Sequence, residues 1–282
     1  MSTTPGWGAK NPSIARGPYG YKFTVRSSNF VLDPSGMIHQ TVEPEGIIKT
    51  VNYIGDMDDD LNVLSLDEID TSHVDGPILF RDVQGMEDCR LFWDYKNDSW
   101  RMSGAFRQYD SSGVPTIAVD TLGATYLPIR QGDAIVGIRD GGAKNVVIDR
   151  TVMQARIPGI PEKNWMPLGY GNEFFKGPWR HPRLDGHQLR GSSGSGWMQD
   201  GWYGLLHFCT WPGRMYWHLF CRMDPNGEVE AITRPFYFIE PGVEFANGMT
   251  TWNDHFVITF GFREARCFTA RVPIASVLKE LY

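Results

Sequence analysis

Apolar and aromatic residues recur along this chain in short runs broken by turn residues, and almost nowhere at the three-to-four-residue interval of a helix. That pattern restricts the fold to one built of strands. Strand-like runs cover residues 21–25, 47–53, 78–80, 117–119, 146–148, 203–208, 215–221, 236–239, 255–260 and 266–272. Turn signals separate them, as at Asp33-Pro34-Ser35-Gly36, Asp140-Gly141-Gly142 and Asp224-Pro225-Asn226-Gly227. Only residues 274–281 read as a short amphipathic helix. The reading is an all-β chain of consecutive hairpins. No linker stands out, so residues 1–282 are expected to form a single domain.

Composition narrows the function classes. With 41% apolar and 21% charged residues the chain has the make-up of an ordinary globular protein. A formal net charge of −6 argues against broad binding of nucleic-acid phosphates, although a local basic site remains compatible with it. The chain carries 10 Trp, 11 Tyr and 16 Phe, side chains that suit both β-packing and the apolar faces of sugar rings. Four cysteines stand far apart, three of them within apolar runs, as expected of reduced thiols. There is no secretory leader pattern and no apolar run of bilayer length, so a cytoplasmic location is expected.

The stretch Gly85-Met86-Glu87-Asp88-Cys89-Arg90-Leu91-Phe92 sets an acid pair and an arginine at the start of an apolar strand. Residues 100–107 are its expected hairpin partner. Strand alternation would point Glu87 and Cys89 one way, Asp88 and Arg90 the other. Such an Asp–Arg pair either grips a hydroxylated or phosphorylated ligand or only braces a loop. Two other polar stretches compete for attention. Asp56-Met57-Asp58-Asp59-Asp60 has the spacing of a divalent-ion site, but it sits between strands and reads better as a solvated loop; neither metal nor cofactor is expected. The basic stretch from Arg180 to Arg190 leads into Gly191-Ser192-Ser193-Gly194, whose backbone N–H groups suggest an anion clamp, although nothing there matches a Walker loop.

Further motifs follow in order: Asn11-Pro12-Ser13-Ile14, Val25-Arg26-Ser27-Ser28-Asn29-Phe30, Thr50-Val51-Asn52-Tyr53, Glu162-Lys163-Asn164-Trp165, Tyr216-Trp217-His218-Leu219-Phe220, Val243-Glu244-Phe245-Ala246 and Phe260-Gly261-Phe262-Arg263-Glu264-Ala265. With the acid-pair stretch they resemble a group of glycosyltransferase-like five-bladed β-propellers, distantly similar to the mannoside phosphorylases of glycoside hydrolase family 130. The resemblance runs from about Asn11 to the C-terminus. It implies a five-bladed β-propeller; a jelly roll or paired β-sandwich is the structural alternative. Those phosphorylases carry a Glu-Asp-Pro-Arg signature, where Cys89 here replaces the proline. Arg107 stands where they place an acidic proton donor, with Asp110 three residues on. An arginine cannot give up a proton at neutral pH.

The resemblance therefore implies a glycosyltransferase that moves a sugar from a nucleotide-sugar donor to a hydroxyl acceptor: a glycan, a small molecule or a modified nucleic-acid base. In that reading Arg26, Arg90, Arg107, Lys163 and Arg190 neutralise the departing diphosphate. Asp88, Glu244 and His218 are the catalytic candidates, Glu264 a rival base to Glu244. Asn29, Glu87, Asn164, Trp165, Ser192 and Arg263 complete the substrate-binding set. Two other classes stand beside it. A glycoside hydrolase or phosphorylase needs carboxyl groups across the scissile bond; a non-catalytic glycan-binding propeller needs only aromatic platforms.

Overall fold

The structure, a computed structural model, describes residues 4–32, 39–42, 46–69, 83–106, 116–123, 134–139, 142–148, 151–153, 164–169, 174–193, 196–198 and 200–282. It is mostly β, with one short α-helix, Ile274–Glu280, among the described residues. No helix there is long and apolar enough to cross a membrane.

Sheets succeed one another in chain order. The first runs Gly8–Gly17, Gly20–Ser28, Ile48–Met57, Asp67–Ile69, each antiparallel to the next. The second begins with the hairpin Glu87–Asp94/Ser99–Phe106 and continues through Thr116–Gly123, Ala134–Arg139 and Gly142–Ile148. A two-stranded ribbon, Met166–Pro167 with Phe174–Phe175, follows. Next come Arg190–Gly191, Gly201–Thr210, Met215–Met223 and Val229–Ile232, and last the three strands Glu244–Trp252, His255–Phe262 and Arg266–Pro273.

Apolar side chains seal each sheet to its neighbours. Phe92 of the second sheet meets Trp165 and Phe174 of the ribbon region. Met166 and Phe175 pack with Leu206, Leu219 and Ile232 of the next sheet. Tyr203, Leu205 and Phe220 pack with Met249, Phe256 and Ile258 of the last sheet. Val257 of that sheet in turn joins Ile14, Phe23, Val25 and Tyr53 of the first. The strand Gly8–Gly17 also lies against Glu87–Asp94. Most aromatic residues among those described are thus interior packing.

Local chemistry explains several turns. Asp224 Oδ1 accepts from Asn226 N and Glu228 N at 2.8 Å each, and Gly227 takes a φ of +85°. Asp56 pairs with Lys22 and accepts from Ser65 Oγ, while Asp58 binds Asn62, so the acidic run braces its own hairpin. All four cysteines are free thiols. Residues 236–239 depart from expectation: Phe236 forms one isolated bridge with His218, and the chain then leaves the sheet. The N–H groups of Phe238, Ile239 and Glu240 are taken by the Glu244 carboxylate instead of a neighbouring strand. The expected strand at 78–80 lies outside the described residues.

Candidate functional site

A cavity of about 440 Å³ opens where the innermost strands begin. Asn11, Asp88 and Asn164 line it, each from the start of a different sheet or ribbon, and each has a left-handed backbone (φ 47°, 51° and 68°). Asp and Asn tolerate that conformation better than most residues. At the first two sites the pairing register slips by one residue, between Lys10 and Ser13 and between Glu87 and Arg90. These are β-bulges, which redirect side chains at functional edges.

The bulge at Asp88 corrects the alternation expected from sequence. Glu87 and Asp88 both turn to Arg26, whose Nη2 donates to Glu87 Oε1 at 2.9 Å and whose Nη1 donates to Asp88 Oδ1 at 3.4 Å. Asn11 Nδ2 donates to the same Asp88 oxygen at 2.7 Å. Burial works against the Arg26 charge, but Glu87, Asp88 and Glu264 outweigh it and raise its pKa. Arg90 faces away from the cavity. It donates to the carbonyls of Asp88 (3.1 Å), Ser192 (3.3 Å) and Gly191 (3.3 Å) and to Asn164 Oδ1 (3.0 Å). It ties three segments together, and its carboxylate partnership with Asp88 does not form.

Glu264, also left-handed (φ 52°), brings a third carboxylate to the cavity. Its Oε2 lies 3.8 Å from Lys10 Nζ and has no hydrogen-bond partner. Lys10 is buried against the Phe30 ring, and burial, partly offset by Glu264, lowers its pKa to about 8. His187, Arg190, Trp211, Arg214 and Tyr216 line the cavity as well. Burial, opposed by Arg214, raises the Tyr216 pKa. His207 also lines the cavity and shares a hydrogen bond with Ser192 Oγ through Nδ1 at 3.1 Å.

The remaining sequence candidates sit elsewhere. The Glu244 carboxylate is fully buried and accepts three backbone N–H groups, so it organises the 238–240 turn. His218 is fully buried; its Nε2 accepts from Ala246 N at 3.2 Å, and burial lowers its pKa to about 3. Asn29 bonds the backbone of Ile47 and Lys49. Trp165 is a core ring under Lys176, and Arg263 is exposed beside Glu240. Ser192 is buried, and its N–H is taken by Leu205 O, which removes one donor from the expected anion clamp. Arg107, Asp110 and Lys163 lie outside the described residues. Among the described residues no His, Cys, Asp and Glu group together as metal ligands.

Sequence reasoning weighed Glu264 only as a rival to Glu244 and passed over Asn11 within its motif. His187 lay in the basic stretch it noted. Arg214 and Trp211, in a turn without a recognisable pattern, left no signal in the sequence.

No family model matches the sequence, and no curated protein matches it significantly. Solved structures do share its fold. A β-1,2-mannobiose phosphorylase from Listeria innocua, complexed with β-1,2-mannobiose, has a TM-score of 0.53 at 14% identity, over 99% of this chain and 94% of that one. A structure from work on family 130 mannoside phosphorylases, a family containing glycoside hydrolases that target β-1,2-mannosidic linkages in Candida mannan, scores 0.55 at 12% identity, over 95% and 84%. A glycosyl hydrolase from Bacteroides ovatus scores 0.51 at 14% identity, over 95% and 84%. These neighbours overturn the expected nucleotide-sugar glycosyltransferase. The geometry agrees with the correction: Arg26 is held by acids and Arg90 by carbonyls, so neither is arranged as a diphosphate clamp.

Proposed function

We propose that this chain is a glycoside-cleaving enzyme of the family 130 kind, a mannoside phosphorylase on a single-domain, five-bladed propeller. The observation that carries the reading is the meeting of three carboxylates, Glu87, Asp88 and Glu264, with a basic rim, His187, Arg190 and Arg214, in one cavity. The circuit of sheets, closed by Val257 against Ile14, supports the propeller.

In this reading Asp88, fixed by Arg26 and Asn11, and Asn164 hold the hydroxyls of the sugar whose bond is cut. Glu264, whose buried Oε2 has no hydrogen-bond partner, transfers the proton. The basic rim holds inorganic phosphate for attack. One phosphate oxygen forms a bond to the anomeric carbon as the bond to the leaving oxygen breaks, and Glu264 delivers a proton to that oxygen. The products are a sugar 1-phosphate and a shortened saccharide.

The test is incubation with β-1,2-mannobiose and related mannosides, with and without phosphate. Phosphate-dependent release of mannose 1-phosphate is expected. Asp88→Asn and Glu264→Gln should each reduce turnover about 10²-fold or more, with the circular dichroism of Asp88→Asn unchanged because Arg26 keeps Glu87. Release of free mannose without phosphate would instead mark a hydrolase. A folded protein inert on every mannoside in both conditions would defeat the reading.

A further inference from the structure

The innermost strands have two ends, and a second cavity, about 830 Å³, opens at the other one. The strand that brings Asn11 to the first cavity brings Ala15, Arg16 and Gly17 to the second. The strand of Asp88 ends there in Phe92 and Trp93, and the strand of Phe245 brings Met249, Thr250 and Thr251. At about 3.3 Å per residue, the five steps from Asp88 to Trp93 set the two mouths roughly 16 Å apart. The second cavity is therefore a separate site.

Its chemistry is unlike that of the first. Among its described lining residues Arg16 is the one charged side chain. Ring faces dominate: Tyr95 is 70% and Trp197 56% exposed, and Trp197 is braced edge-on by Trp202, with centroids 5.3 Å apart. Leaving large rings this accessible on a concave surface is the arrangement of a binding site. A strongly charged ligand would meet one guanidinium and no acid. A saturated ring bearing hydroxyls can lay its C–H face on Trp197 or Tyr95 and turn its hydroxyls to Arg16, Thr250 and Thr251.

We propose that this second cavity binds a neutral oligosaccharide, on Trp197 and Tyr95 as stacking platforms, independently of the cleavage site. It would tether a glycan chain on the face opposite the one at which the bond is cut.

The test is isothermal titration of the full chain with short neutral mannose-linked and glucose-linked oligosaccharides. It compares wild type with Trp197→Ala, Tyr95→Ala and Asp88→Asn. A binding event is expected that persists in Asp88→Asn and weakens roughly fivefold to tenfold in each aromatic variant. Cleavage of a disaccharide should be unchanged in both aromatic variants. Three results would overturn the proposal: no binding to wild type, binding lost in Asp88→Asn but intact in Trp197→Ala and Tyr95→Ala, or self-association abolished by Trp197→Ala, which would make a second copy the occupant. Binding without cleavage of any glycoside would sink the phosphorylase reading and leave this one standing.

Discussion

Two buried side chains show how a polar residue can serve the site without touching it. Arg90 spends its donors on three carbonyls and an amide from separate segments. Lysine has no planar fork to reproduce that set. Arg90→Lys should cost about 2–4 kcal/mol, at 1–3 kcal/mol per orphaned buried acceptor, read from urea unfolding. An unchanged midpoint would mean the four contacts are replaceable. His218 makes a pH-dependent contribution. Its folded pKa of about 3 lies below the ordinary 6.5 because burial disfavours the imidazolium. Between those values only the unfolded chain takes up the proton, so stability present above pH 6.5 is lost as pH falls towards 3. The slope through this one group is about 1.4 kcal/mol per pH unit. His218→Gln should flatten the stability profile in that window. An equally steep profile would assign the acid sensitivity to other groups.

At the scale of elements, the site is made by bulges. The register slips at Asn11 and Asp88 have a counterpart in the last sheet between Ala246 and Gly248. There Asn247 Nδ2 donates to Cys89 O at 2.6 Å and to Asn11 O at 3.3 Å, tying the three inner strands at their irregular points. Such close approach leaves no room for side chains. A Cβ on Gly248 would fall 2.3 Å from Ile14 N and 2.7 Å from Ser13 Cα, both backbone atoms that cannot swing aside. Gly248→Ala should therefore destabilise by about 1–3 kcal/mol or more and lower activity by shifting Asn11. Thermal denaturation and turnover measured together check this; a variant as stable as the parent would show that the strands can separate freely.

Across the whole molecule, the C-terminal segment ties the last two sheets together. The helix Ile274–Glu280 sets Val277 into the cluster around Tyr203 and Phe256, and Tyr282 exchanges backbone hydrogen bonds with Ile232 at 3.2 and 3.3 Å. Deleting residues 274–282 uncovers that cluster and frees the edge of Val229–Ile232. Losing about 3 kcal/mol of burial and pairing should lower the thermal midpoint by roughly 6–12 °C. A midpoint that does not move would show the segment to be peripheral.

Local interactions made much of this architecture readable in advance. The hairpin at residues 87–106 follows from apolar alternation, the turn at Asp224–Gly227 from a side chain that binds its own backbone, and the C-terminal helix from its periodicity. All of these depend on neighbours a few residues away. The site was legible only in part, because its geometry rests on partners far apart in the chain. Asp88 turns to Arg26 and Asn11, 62 and 77 residues away. Glu244 and Glu264 look alike as carboxylates beside strands, yet packing seals one among N–H groups and leaves the other on the cavity. Residues 236–239 have strand composition, but Phe238 and Ile239 give their N–H groups to Glu244. Residue order can specify a strand, because alternation is a property of the strand itself. Where that strand bulges, and which way its carboxylates then point, depends on what the other sheets press against it.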